Sequence, residues 1–187
     1  YDGEFYYTSS NNLITKYDAD WNSVATNTDP NGDTGESGLN HCGDLEVVGD
    51  YLYIPTETYP NTPFDNQFIL VLNKSDLTYV THYDISAQGR ETSGLAYNPA
   101  DGYLYASSYV TNNSFAKYDL EGNFIELFTL NTSINQIQGV TFWKDSIWVA
   151  TSDTERIVQF DLLGNFLAEM HLYDSGVIAE AEGLSHS

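Results

Sequence analysis

Ser93-Gly94-Leu95-Ala96-Tyr97-Asn98-Pro99-Ala100-Asp101-Gly102-Tyr103-Leu104-Tyr105-Ala106-Ser107-Ser108 has a second copy in this chain, split between the two ends. Joined tail to head, Glu182-Gly183-Leu184-Ser185-His186-Ser187 and Tyr1-Asp2-Gly3-Glu4-Phe5-Tyr6-Tyr7-Thr8-Ser9-Ser10 follow the same plan: Gly-Leu, a polar stretch, Asp-Gly, then aromatics ending in Ser-Ser. A repeat divided over the termini is what a closed ring of repeats requires, because one end of the chain must complete the unit begun by the other.

A second anchor confirms the period. Lys16-Tyr17-Asp18, Lys117-Tyr118-Asp119 and Gln159-Phe160-Asp161 recur, with Val71-Leu72-Asn73 as a weaker copy. Three of the four are followed by a short turn ending in Asn: Asn22, Asn123 and Asn165. β-Branched and aromatic runs flank each turn, the signature of a hairpin.

Each repeat reads as four strands, A to D. The third gives Gly94–Asn98, Tyr103–Ser107, Ser114–Tyr118 and Phe124–Thr129; the fourth gives Gly139–Trp143, Ser146–Thr151, Arg156–Phe160 and Phe166–Leu172. The second gives Asp44–Val48, Tyr51–Pro55, Gln67–Leu72 and Thr78–Tyr83. In the first, Phe5–Ser9, Leu13–Tyr17 and Ser23–Thr26 lack an A strand, which Gly183–Ser187 supplies. The expectation is an all-β, four-bladed β-propeller in one domain. Blade 1 comprises 183–187 plus 1–27, blade 2 42–86, blade 3 91–131 and blade 4 137–173. Sheets covered on both faces by neighbouring blades explain why Phe68-Ile69-Leu70-Val71-Leu72 is apolar throughout. Tyr51 and Tyr53, like Tyr103 and Tyr105, share one strand face by alternation; packing between blades is the expected role, stacking on a sugar the alternative.

The 187 residues carry 27 acidic and 6 basic side chains, a formal charge of -21. Such a surface repels phosphate backbones and anionic lipid, which excludes nucleic-acid binding and attraction to a membrane surface. No apolar run approaches the length of a membrane span. A hydrophobic content of 41% excludes acidic disorder. The single cysteine, Cys42, excludes an intrachain disulfide and is expected to pack as a small hydrophobe. The chain starts at Tyr1 without a signal-like stretch, as a mature or excised form would.

Antiparallel strands put the B–C loops and the D–A connections on one face, and nearly all the long connections are of these kinds. Function is expected on that face. Aligned A strands place Gly43, Ser93, Gln138 and Glu182 just before the strand start, with His41, Glu91, Gln136 and Glu180 two positions earlier on the same side. His41, Glu91, Glu180 and Glu182 then converge on the axis as donors for a divalent cation, unless polar channel residues simply hold water. A second candidate is the loop from Asp29 to Glu36. Asp29, Asn31 and Asp33 supply oxygens at alternate positions, with Glu36 beyond, as at the start of a calcium loop. Thr34 stands where an EF-hand requires Gly, and a turn-rich linker has the same composition. Calcium or another divalent cation is the cofactor these residues suggest.

These motifs resemble the propellers of the NHL, SMP-30/gluconolactonase and SdiA-regulated type. The resemblance is carried by Ser93-Gly94-Leu95-Ala96-Tyr97-Asn98-Pro99, Gln138-Gly139-Val140, Glu182-Gly183-Leu184 and the Lys-Tyr-Asp hairpins. It implies the propeller fold. In the SMP-30-like lactonases it further implies a divalent metal held by a Glu before one A-strand Gly and by Asn and Asp on other blades. Glu182 matches the Glu, while Ser93 and Gln138 stand in the other two positions. The sequence favours an extracellular or cell-surface module that binds a protein, a glycan or another copy of itself on the loop-rich face. Such a module could assemble into a filament, because a C-terminal strand can close its own ring or a neighbour's. A metal-dependent hydrolase or lactonase using the axial carboxylates, and a fragment of a larger propeller, are the alternatives.

Overall fold

The computed structural model describes residues 1–60, 63–111, 113–172 and 183–186. Its order is β1 Tyr6–Ser10, β2 Leu13–Tyr17, β3 Ser23–Asn27, a one-turn helix α1 Pro30–Asp33, β4 His41–Cys42, β5 Glu46–Val48, β6 Tyr51–Glu57, β7 Gln67–Asn73 and β8 Tyr79–Asp84. After a 3-10 turn at Ser86–Gln88 come β9 Gly94–Asn98, β10 Tyr103–Ser107, β11 Ser114–Tyr118, β12 Phe124–Thr129, β13 Ile137–Trp143, β14 Ser146–Thr151, β15 Arg156–Asp161 and β16 Phe166–His171. These form four antiparallel meanders, the blades of a four-bladed β-propeller: β1-β2-β3, then β4 and β5 with β6-β7-β8, then β9 to β12, then β13 to β16.

The hairpin between the third and fourth strand of each blade shows how local sequence sets register. In β2–β3, β7–β8, β11–β12 and β15–β16 the pairing shifts by one residue at the anchor, a bulge that tightens the twist. Asp18, Asp119 and Asp161 each accept two backbone N–H groups of the turn on one oxygen and the amide of Asn22, Asn123 or Asn165 on the other. The Asn22 and Asn165 bonds hold the Asp18 and Asp161 carboxyls below the usual carboxylate range. The blade-2 copy does the same work with Asn73 and Thr78, whose hydroxyl accepts from the Asn73 amide at 2.9 Å.

Alternation along each strand sends side chains to both neighbouring blades. From β7, Leu70 and Leu72 join Ile14, Leu52 and Ile54 between blades 1 and 2, while Ile69 and Val71 join Leu95, Leu104 and Tyr118 between blades 2 and 3. Phe115, Val149 and Phe160 fill the junction of blades 3 and 4. Each fully buried aliphatic or aromatic side chain here contributes about 1.5–3 kcal/mol. Tyr53 and Tyr105 are buried in these junctions, where the Tyr105 hydroxyl reaches Asp101 at 2.6 Å and Tyr103 packs partly buried, whereas Tyr51 is exposed. The outermost strand β16 is exposed along its whole length.

The predicted A strand of blade 2 is interrupted. Asp44 leaves its own sheet and bridges to Gly94, its N–H donating to Ser93 O and its carbonyl accepting from Leu95 N. Strand A therefore splits into β4 and β5. At the other end of the chain, residues 183–186 carry no ladder to β1. They close the ring through the axis instead: Gly183 abuts Gly139 and Asp44, the Leu184 N–H donates to Asp44 Oδ2 at 3.2 Å, and His186 Nδ1 lies 3.1 Å from Thr141 Oγ1. Ser187, the last residue of that predicted strand, lies outside the described residues.

Candidate functional site

The loop-rich face opens at the axis into a cavity of about 840 Å³. β4 and the end of β6 supply His41 and Glu57, the approach to β9 supplies Glu91 and Ser93, and Asp44 and Gln138 lie deeper. The loops after β6 and β10 bring Tyr59, Phe64 and Tyr109 to the mouth. These groups stand where β4, β9, β13 and residues 183–186 crowd the axis. A Cβ on Gly139 would lie 2.7 Å from the backbone of Gly183 and Leu184, so only glycine lets the strands approach this closely.

Two carboxylates are buried in the cavity wall, Glu57 at 1% exposure and Glu91 at 6%. Glu57 Oε1 lies 3.2 Å from His41 Nδ1, and its Oε2 accepts from Gln67 Nε2 at 2.7 Å. Gln67 in turn accepts from Thr92 N at 3.1 Å, which ties blade 2 to the start of β9. Glu91 Oε2 accepts from Ser108 Oγ at 2.9 Å and Tyr109 N at 2.6 Å. Burial, and after it the nearby Glu57 charge, pushes the Glu91 carboxyl up to about 7, against the pull of those donors. Asp44 is pushed up to about 8, first by burial on the axis, with the Leu184 N–H opposing and Glu46 adding to the rise. Among the described residues no Lys or Arg lines the cavity.

Of the axial residues expected from the sequence, His41 and Glu91 both line this cavity, while Glu180 and Glu182 lie outside the described residues. Among the described residues no three His, Cys, Asp or Glu side chains are grouped as metal ligands. The residues of the second candidate are engaged as follows. Asp29 caps α1 by accepting from Gly32 N and holds the Asn12 amide, while Asp33 accepts from Asn27. Glu36 faces His82 at 3.4 Å. Asn31 is buried, its oxygen taken by Thr56 Oγ1 and Cys42 Sγ and its amide donating to Asn11 O. Cys42 packs at 4% exposure in the junction of blades 1 and 2, and burial raises its thiol to about 11.

The sequence reading passed over Glu57 and Asp44. Asp44 carried a signal, since it stands in the column occupied by Gly94, Gly139 and Gly183 in the other repeats. Glu57 ends a strand two residues longer than its expected bounds, and nothing in the local pattern marked it.

Fold and cavity together define a four-bladed β-propeller with an acidic pocket on its axis. No family model matches the sequence, and no curated protein matches it. Among solved structures the chain is similar to a protein of unknown function from Bacteroides caccae, at 12% identity and a TM-score of 0.59, over 92% of this chain and 58% of that one. It is similar to a glutaminyl cyclase of Myxococcus xanthus at 11% identity and a TM-score of 0.66, over 91% of this chain and 71% of that one. It is also similar to a chain of a nidogen–laminin complex at 13% identity and a TM-score of 0.63, over 96% of this chain and 62% of that one. The chain thus spans less than two thirds of the first and third of these proteins. At such identities the likeness is one of fold.

Proposed function

We propose that this propeller is a protein-binding module whose loop-rich face receives a basic partner. The observation that carries the reading is the axial cavity, where buried carboxylates sit behind an aromatic mouth on a chain of net charge -21. A field of that sign draws cationic surfaces and speeds their encounter. A propeller chain from a nidogen–laminin complex, itself an assembly of proteins, shares the architecture. The extracellular or cell-surface setting belongs to the same proposal. The test is a display library of random peptides selected on the purified protein. Binders rich in Lys and Arg, lost when residues 56–66 and 108–113 are replaced by short Gly-Ser turns, are expected. Binders that survive the loop replacement would move recognition elsewhere.

A second reading places a divalent cation on the axis, with hydrolase chemistry built on it. It is favoured by His41 and Glu91 facing one cavity, to which Glu180 and Glu182 would add oxygens. Elemental analysis of the purified protein, before and after chelation, with a screen of lactone and phosphoester substrates, separates it from the first.

A further inference from the structure

We propose that Glu57 and Glu91 form a socket for a single lysine or arginine side chain of the partner. This rests on the protein-binding reading above and specifies what enters the cavity. Both carboxylates are more than nine-tenths buried, and both line the same cavity. Buried charges in folded proteins are ordinarily paired with a charge of opposite sign. Glu57 has His41 at 3.2 Å, whereas the donors on Glu91 are neutral, the Ser108 hydroxyl and the Tyr109 and Val110 N–H groups. Arg90, its neighbour in sequence, directs its hydrogen bonds to the Ser114 carbonyl and hydroxyl, both at 2.9 Å, and acts on Glu91 as a nearby charge. Among the described lining residues there is thus no Lys or Arg, and a ligand's cation can take that place.

The shape of the site favours an organic cation. About 840 Å³ is far more than a bare ion occupies and admits a long side chain together with its backbone. Tyr59, Phe64 and Tyr109 at the mouth offer ring faces along which the methylene stem of a lysine, or a guanidinium plane, can lie. The Tyr59 ring already packs against His41, with centroids 5.3 Å apart, so the aromatic mouth and the carboxylate wall form one continuous surface. The Gln67 link from Glu57 to Thr92 N fixes the two carboxylates on adjacent blades, so the socket is built before its ligand arrives.

The experiment is calorimetric titration of the full chain with Ac-Gly-Lys-Gly-amide and its arginine, acetyl-lysine and norleucine counterparts. Lys and Arg peptides binding about tenfold or more tightly than the neutral pair are expected, as hydrogen bonds to a buried charge imply. Glu91→Gln and Glu57→Gln should each remove that preference, while Glu126→Gln on the exposed strand β12 keeps it. Free n-butylammonium competing with the Lys peptide on the unmodified protein, where n-butanol does not, supports the socket without any variant. Equal binding of the Lys and norleucine peptides overturns the socket while leaving the loop-face reading in place. A library that yields no binder at all overturns that reading itself. Calcium or zinc alone binding at one equivalent, displaced by neither peptide and lost in Glu91→Gln, overturns the socket in favour of a metal.

Discussion

Asn31 shows how much one side chain can hold together. Its amide donates to Asn11 at the end of blade 1, and its oxygen accepts from Thr56 and Cys42 in blade 2. Asn31→Ala would strand these buried groups and cost about 1–3 kcal/mol. For a domain of this size that is a drop of about 2–4 °C per kcal/mol in a thermal melt. The same bonds bear on calcium. A cation among Asp29, Asn31, Asp33 and Glu36 requires the Asn31 oxygen to leave Thr56 and Cys42. Equal melting midpoints in calcium and in chelator are therefore expected; a rise with calcium that disappears in Asp33→Ala would place the ion in this loop.

At the scale of elements, the hairpins between third and fourth strands are autonomous in chemistry and repeat in sequence. Asp119 closes the β11–β12 turn by accepting from Glu121 N, Asn123 N and the Asn123 amide. Asp119→Ala should cost about 1–2 kcal/mol, and hydrogen exchange should show lost protection confined to β11 and β12. Gly122 adds a second constraint, with φ of 76° and a missing Cβ that would overlap the Tyr83 side chain of blade 2. Gly122→Ala is expected to destabilise by at least about 1–2 kcal/mol for the left-handed backbone alone, measured by urea unfolding. An unchanged midpoint would mean that the turn is not seated against Tyr83.

On the scale of the whole molecule, closure depends on the axis. Burial pushes the Asp44 carboxyl up to about 8 in the fold, from the ordinary aspartate value of 3.8, so the folded state binds more protons than the unfolded chain between those limits. Stability from this group is therefore fully present below about pH 4 and is lost as pH rises through 8. Glu91 acts in the same direction up to about 7. The hydrogen-bonded carboxyls of Asp2, Asp18 and Asp161 are shifted downward and act oppositely, losing their contribution as pH falls through the acid range. Melting temperature is expected to fall from pH 5 to pH 8, and Asp44→Asn should flatten part of that slope; an unchanged slope would show that Asp44 is not the responsible group. Deleting residues 181–187 removes Gly183 and Leu184 from Asp44 and Gly139, so a lower melting temperature and aggregation of the loosened ring are expected. A truncated chain that melts like the parent and stays monomeric would contradict this. Residues 183–186 meet the axis of their own chain, and the connection 173–181 is ample for return within one subunit. Light scattering across salt and calcium concentrations tests whether a neighbour's ring can be closed instead; growth of head-to-tail polymers is the outcome that would establish the filament.

Strand positions were legible because a hairpin is a local object. β10, β11, β12 and β14 have the bounds that alternation and turn residues assign, and the four recurring anchors specify four blades. The site is a different kind of object, since its parts come from four blades and meet only when the ring closes. His41 and Glu91 could be aligned on the axis from spacing, but that Glu57 stands opposite His41 follows from the pairing of β4 with β6, and that Asp44 crosses to Gly94 follows from a contact between blades. Sequence spacing determines what each strand offers along its own length. Which carboxylates are buried together is decided by packing between blades, because burial and Coulombic coupling act over a few ångströms of space and not over positions in the chain.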